Sequence, residues 1–131
     1  MVEIRNGREV LREVFLFEPE KKFEVLTKTD DYTVKITDKG KILVMNSSAE
    51  KDFNLPSVGS ADIGTEFTFA TIGSGKTIID PADADTIDDS TASTGNISAT
   101  AAAGVVPTIT IQLVSETQWA IKAANGTWTT T

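Results

Sequence analysis

From Tyr32 to the C-terminus, apolar and polar residues alternate in short runs broken about every ten residues by a turn signal, a rhythm that fits short β-strands and little else. Tyr32, Val34 and Ile36 alternate with Thr33, Lys35 and Thr37, as in a strand with one buried face. Asp38-Lys39-Gly40-Lys41 reads as a turn, with Gly40 able to take positive φ. Ile42 to Met45 then reads as the returning strand of a hairpin. Phe53-Asn54-Leu55 is a short strand closed by Pro56, and Thr65 to Phe69 alternates with both phenylalanines on one face. Gly73-Ser74-Gly75 turns the chain into Thr77-Ile78-Ile79. Ile97, Thr108 to Leu113, Trp119 to Ile121 and Trp128 supply further strands, the last after an Asn125-Gly126 hairpin turn. Ala99 to Ala103 is too short for a helix, and Gly104 ends it. The expected fold is all-β: a compact sandwich or barrel of about seven or eight short antiparallel strands.

The first thirty residues follow a different pattern. Val10, Val14 and Phe17 have helical spacing, whereas Val14-Phe15-Leu16-Phe17 before Glu18-Pro19 reads as a strand stopped by proline. The second reading is preferred, as an extended arm carrying one short strand. Charge also changes along the chain. Through Asp52 there are ten Lys or Arg and eleven Asp or Glu; from Phe53 onward only Lys76 and Lys122 stand against eight acids. The division this predicts is an N-terminal arm, residues 1–30, and a β domain, residues 31–131.

Several functional classes fall away on residue type. The chain has no histidine and no cysteine, which removes the usual catalytic triads, thiol chemistry, zinc sites and disulfides. A net charge of −7 argues against a nucleic-acid backbone as partner. Apolar runs such as Ile42 to Met45 are far shorter than a bilayer span of roughly 20 residues. Met1 to Arg12 is densely charged, unlike a signal peptide, so the product is expected to be made and held in the cytoplasm until something releases it.

Three constellations invite a chemical reading. Gly73-Ser74-Gly75-Lys76-Thr77 resembles the end of a phosphate-binding loop, but Ala70 stands where its first glycine belongs, and strand-like Thr77-Ile78-Ile79 replaces the helix. A hairpin turn is the better reading. Asp80, Asp83, Asp85, Asp88 and Asp89 crowd one segment without an EF-hand's central glycine or closing glutamate. The segment from Asp80 to Gly95 therefore reads as a solvated loop anchored by Ile87, with no metal. A glycosidase pair would need two carboxyls roughly 5–9 Å apart in a cleft, and nothing sets an acid beside either tryptophan. Trp119, in step with Ile121, reads as core; Trp128, at a Thr-rich end, is the candidate ligand-facing aromatic. No catalytic residue and no cofactor is expected.

The order of the pieces carries a resemblance. Asp31-Tyr32-Thr33-Val34, Gly40 to Asn46, Phe53-Asn54-Leu55-Pro56, Ile63-Gly64-Thr65-Glu66-Phe67-Thr68-Phe69, Ile72-Gly73-Ser74-Gly75 with Ile78-Ile79-Asp80-Pro81, Leu113-Val114-Ser115 and Gln118-Trp119-Ala120-Ile121 follow one another in this sequence. The series resembles a β domain that recurs in virion proteins of tailed bacteriophages: head fibres, capsid decoration proteins and tail fibres. It covers about residues 31–122. The resemblance implies a non-catalytic structural protein, typically trimeric, on the virion surface, bound to the major capsid protein. Residues 1–30 would then be the attachment arm, with Phe15, Phe17 and Phe23 as capsid contacts. A full tail fibre needs a shaft and a tip, which favours a capsid-surface decoration protein, assembled in the host cytoplasm. The alternative is a receptor- or carbohydrate-binding module of a tail or baseplate, with a host-surface glycan as ligand.

Overall fold

The computed structural model describes residues 22–87 and 95–130. Among these residues eleven strands form two packed sheets: β1 Val25–Lys28, β2 Tyr32–Thr33, β3 Ile42–Met45, β4 Lys51–Asn54, β5 Glu66–Thr71, β6 Lys76–Asp80, β7 Thr86–Ile87, β8 Ile97–Thr100, β9 Thr108–Ser115, β10 Gln118–Asn125 and β11 Thr129–Thr130. The six-stranded sheet has the order β1-β3-β5-β9-β10-β7, and the five-stranded sheet β11-β8-β6-β4-β2. The all-β, two-layer fold is as expected from the alternation.

The path of the chain differs from expectation. Successive strands from β1 to β9 fall alternately in the two sheets, so the first half winds around the sandwich as a flattened coil. Winding in one sense makes neighbours parallel: β1 with β3, β3 with β5, β2 with β4 and β4 with β6. The β7–β10 pair is parallel as well, and four ladders are antiparallel. Three expected hairpins are therefore corrected. β2 and β3 lie in opposite sheets, Gly73-Ser74-Gly75 is a corner between sheets, and Asn125-Gly126 leads from β10 across to β11. The actual hairpin joins β9 to β10 through Glu116-Thr117. Alternation fixes which side chains face inward but carries no information about which strand lies alongside.

The corners repeat. Before β3, Asp38 N–H donates to Lys35 O, the Lys35 N–H donates to Asp38 Oδ2, and Gly40 has φ +81°. Before β5, Asp62 N–H donates to Gly59 O, the Gly59 N–H donates to Asp62 Oδ2, and Gly64 has φ +101°. Each aspartate closes a short 3-10 turn at Ile36–Asp38 or Ser60–Asp62, and the glycine two residues on takes the left-handed conformation that sends the chain into the next strand. On the third turn of the coil Asp85 N–H donates to Ala82 O in the same way. At the opposite corner Gly73 and Gly75 lie flat against the backbone of Ser47 and Ala49, with no room for a β-carbon.

Inside, one cluster joins the sheets: Leu43, Met45, Phe67, Phe69, Ile109, Ile111, Leu113 and Trp119 from one, Phe53, Ile79 and Ile97 from the other, each 0–1% exposed. An aromatic chain runs through it, from Tyr32 to Phe53 at 6.4 Å between ring centroids, Phe53 to Phe69 at 5.1 Å, Phe69 to Phe67 at 6.2 Å and Phe67 to Trp119 at 5.6 Å. Fully burying one such side chain contributes roughly 1.5–3 kcal/mol. Trp119 is core, as its alternation predicts.

The arm expected to end at residue 30 meets the sheet earlier. Val25–Lys28 is already β1, paired along its whole length with β3. The described part of the Asp80–Gly95 segment, through Ile87, is also more structured than a solvated loop. Ile87 is fully buried and pairs with Trp119, in the anchoring place foreseen, but Pro81 and Asp85 are buried too. Its remaining acids, Asp88 and Asp89, lie outside the described residues.

Candidate interaction surface

Polar groups that could do chemistry are mostly committed to holding the chain. Asp38 is the clearest case. It is buried at the foot of the first corner, where Oδ2 accepts the Tyr32 hydroxyl at 2.8 Å and the Lys35 N–H at 2.9 Å, and Oδ1 meets Lys41 Nζ at 3.2 Å. Burial pushes this carboxyl up, but the Lys35 amide, the Tyr32 hydroxyl and the Lys41 ammonium together outweigh it and hold it below the ordinary aspartate range. Burial, and the carboxylate it donates to, push the Tyr32 phenol up to about 12. Lys28 Nζ sits 4.2 Å from the Tyr32 ring centroid and completes the clasp. Thr77 donates to Thr71 at 2.7 Å with both hydroxyls buried, tying the two strands that flank the glycine corner.

The outer face of the five-stranded sheet is acidic. Asp52 N–H donates to Asp31 Oδ1 at 2.8 Å. Partial burial, with Asp31, Asp80 and Glu50 as neighbours, raises the Asp52 carboxyl above its usual range. Asp85 is raised by burial and then by Asp83. Among the described residues, no group of three acids is arranged to hold a metal ion.

The outer face of the six-stranded sheet has the opposite character. One row crosses five strands in register: Val25, Ile42, Thr68, Thr110 and Ala123. A second runs Thr27, Val44, Ala70 and Thr108. Thr68 and Thr110 share a hydrogen bond at 2.9 Å. The charged side chains on these strands' outer face, Glu66 and Lys122, pair with each other at 2.9 Å. A shallow groove of about 270 Å³ lies on this face, floored by Ile42, Thr68 and Thr110 and bounded by Phe23, Lys41 and Glu66.

Phe23, expected as an attachment residue, therefore stands 59% exposed at the rim of this groove. Phe15 and Phe17 lie outside the described residues. Trp128 is not a free ligand-facing ring: it is half-buried against the core, and its indole N–H reaches Thr108 O at 3.1 Å and Asn125 O at 3.2 Å. No single segment of the sequence gives warning of the sheet-face groove. Its only sequence trace is the run of small and β-branched residues at outward positions of β5, β9 and β10.

The chain matches no known protein family, no curated protein and no solved structure in comparisons with each.

Proposed function

We propose that this is a non-catalytic structural protein of a tailed-bacteriophage virion, a capsid-surface decoration or head-fibre protein that works as a homotrimer bound to the major capsid protein. The observation that carries the reading is how the molecule distributes its chemistry. Of its buried polar side chains, Asp38, Thr71 and Thr77 are engaged in holding corners and strands, while the outer face of the six-stranded sheet pairs Glu66 with Lys122 and carries a shallow groove floored by Ile42, Thr68 and Thr110. Such a face suits a large flat contact better than a small substrate. The segments that carry the virion resemblance, Asp31 through Ile121, fall on strands and corners of the winding and on the hairpin that follows it. Phe23 at the groove's rim supports attachment from the N-terminal side.

Sedimentation of purified virions tests the reading. Co-migration of the protein with filled heads is expected. Co-migration with isolated tails would favour the receptor-binding alternative, and absence from virions would remove both.

A further inference from the structure

We propose that Asn125 is a self-modification site, at which the Gly126 backbone nitrogen displaces the Asn125 side-chain amide with help from the Trp128 indole. The proposal does not depend on the virion reading.

Access is the first argument. The described asparagines are Asn46, Asn54, Asn96 and Asn125, and the first three are followed by Ser47, Leu55 and Ile97. A side chain on each of those residues crowds the backbone nitrogen that would have to attack. Gly126 carries none. Packing also fixes the glycine in place: its φ is +83°, and an added β-carbon would meet Pro107 Cα at 3.0 Å. Asn125 and Gly126 are both exposed, at the point where β10 leaves its ladder with β9. Among the described residues, neither the Asn125 side-chain amide nor the Gly126 N–H has a hydrogen-bond partner.

Activation is the second. A peptide nitrogen attacks as its anion, and that charge is shared with the carbonyl oxygen of the same peptide group, here Asn125 O. The Trp128 indole N–H donates to this oxygen at 3.2 Å and to Thr108 O at 3.1 Å. Trp128 is packed against the core, so the donor already stands where the charge develops. Trp128 is therefore a positioning residue that acts through the Asn125 carbonyl.

The chemistry needs only hydroxide and water. Hydroxide takes the Gly126 proton, and the nitrogen bonds to Asn125 Cγ to close a cyclic imide. The bond from Cγ to the side-chain nitrogen breaks, and ammonia leaves with a proton from water, which restores the hydroxide. Water then opens the imide at either carbonyl, giving aspartate or isoaspartate. Both products add a negative charge to a chain already at −7. Isoaspartate also inserts a carbon into the main chain beside the oxygen that holds Trp128, so the indole should come away from it.

The test is peptide mapping by mass spectrometry of the full native chain, kept folded in neutral and in mildly alkaline buffer, with isoaspartate detected by enzymatic methylation. Amide loss should accumulate at Asn125 while Asn46, Asn54 and Asn96 stay intact, and should run faster in the alkaline sample. Trp128→Phe, with its circular-dichroism spectrum retained, should slow the loss at Asn125 about fivefold, the rate equivalent of one hydrogen bond. Tryptophan emission of the aged native chain should shift to the red as isoaspartate forms, and that of Asn125→Gln should not. Asn125 that outlasts Asn46 in the native chain would overturn the proposal without any variant. Equal or faster loss in folded Trp128→Phe would overturn the part assigned to the indole.

Discussion

Gly73 lies against Ser47 so closely that a β-carbon on it would overlap the Ser47 carbonyl oxygen. Two successive corners of the coil stack there, backbone on backbone, and Gly75 repeats the arrangement over Ala49, donating its N–H to Ser47 O at 2.8 Å. Gly73→Ala should therefore cost about 3 kcal/mol, because the obstruction is main chain and cannot rotate away. Gly59→Ala is the comparison: it has φ −141° and nothing within 4 Å of its added carbon. It should cost under about 1 kcal/mol or stabilise slightly by restricting the unfolded chain. Urea denaturation of the two variants checks this, and equal losses would remove the stacked-corner account.

The Asp38 clasp should appear in the pH dependence of stability. Its folded carboxyl titrates below the unfolded value of about 4, so its contribution is present above that value and is lost as pH falls through the folded one. Asp52 and Asp85 act in the other direction. Their folded values are raised, so the stability they contribute while protonated is lost as pH rises through those values, and at neutral pH they cost stability. The expected profile peaks in mild acid and falls steeply below about pH 4. Asp85→Asn should raise the neutral-pH melting temperature and flatten the upper side of that peak.

Tyr32→Phe should cost about 1 kcal/mol, the typical net worth of one hydrogen bond, since Lys35 and Lys41 still hold Asp38. Asp38→Ala should cost more, about 3 kcal/mol, because it strands the Tyr32 hydroxyl and unpins the corner together. A double-mutant cycle between the two should show coupling; strict additivity would mean that the 2.8 Å contact contributes nothing.

Truncation should separate arm from fold at a different place from the one composition suggests. Removing residues 1–21 should leave the β spectrum and melt largely unchanged. Removal through Thr29 should destabilise the domain by several kcal/mol, because it strips β1 from β3 and takes away Leu26, which packs against the core. Equal stability of the two truncations would show that β1 is dispensable.

Melting in chelator and in millimolar calcium should coincide, because Ile87, fully buried and paired with Trp119, anchors the segment after β6 to the core. Ile87→Ala should cost about 3 kcal/mol. A calcium-dependent rise that vanishes in Asp85→Asn would instead reveal a site.

The sequence alone determined the fold class and much of the core. Period-two alternation places Phe67 and Phe69 on one face whatever lies beside them, and the positions of Ile87 and Trp119 follow from hydrophobicity alone. The Asp38–Gly40 corner is legible as a turn, and its Asp-x-Gly spacing, which Asp62–Gly64 shares, is the trace of the coil's repeat. Only the tertiary structure decided the partners. Whether Ile42–Met45 folds back on Tyr32–Thr33 or crosses about 10 Å to the other sheet depends on non-local packing, to which local alternation is blind. The same holds for Gly73 and Gly75, which read as a hairpin turn and in fact pack directly against the backbone of Ser47 and Ala49. The neutral face exists in no single segment. It forms only when outward residues of β1, β3, β5, β9 and β10, from distant parts of the chain, come into register.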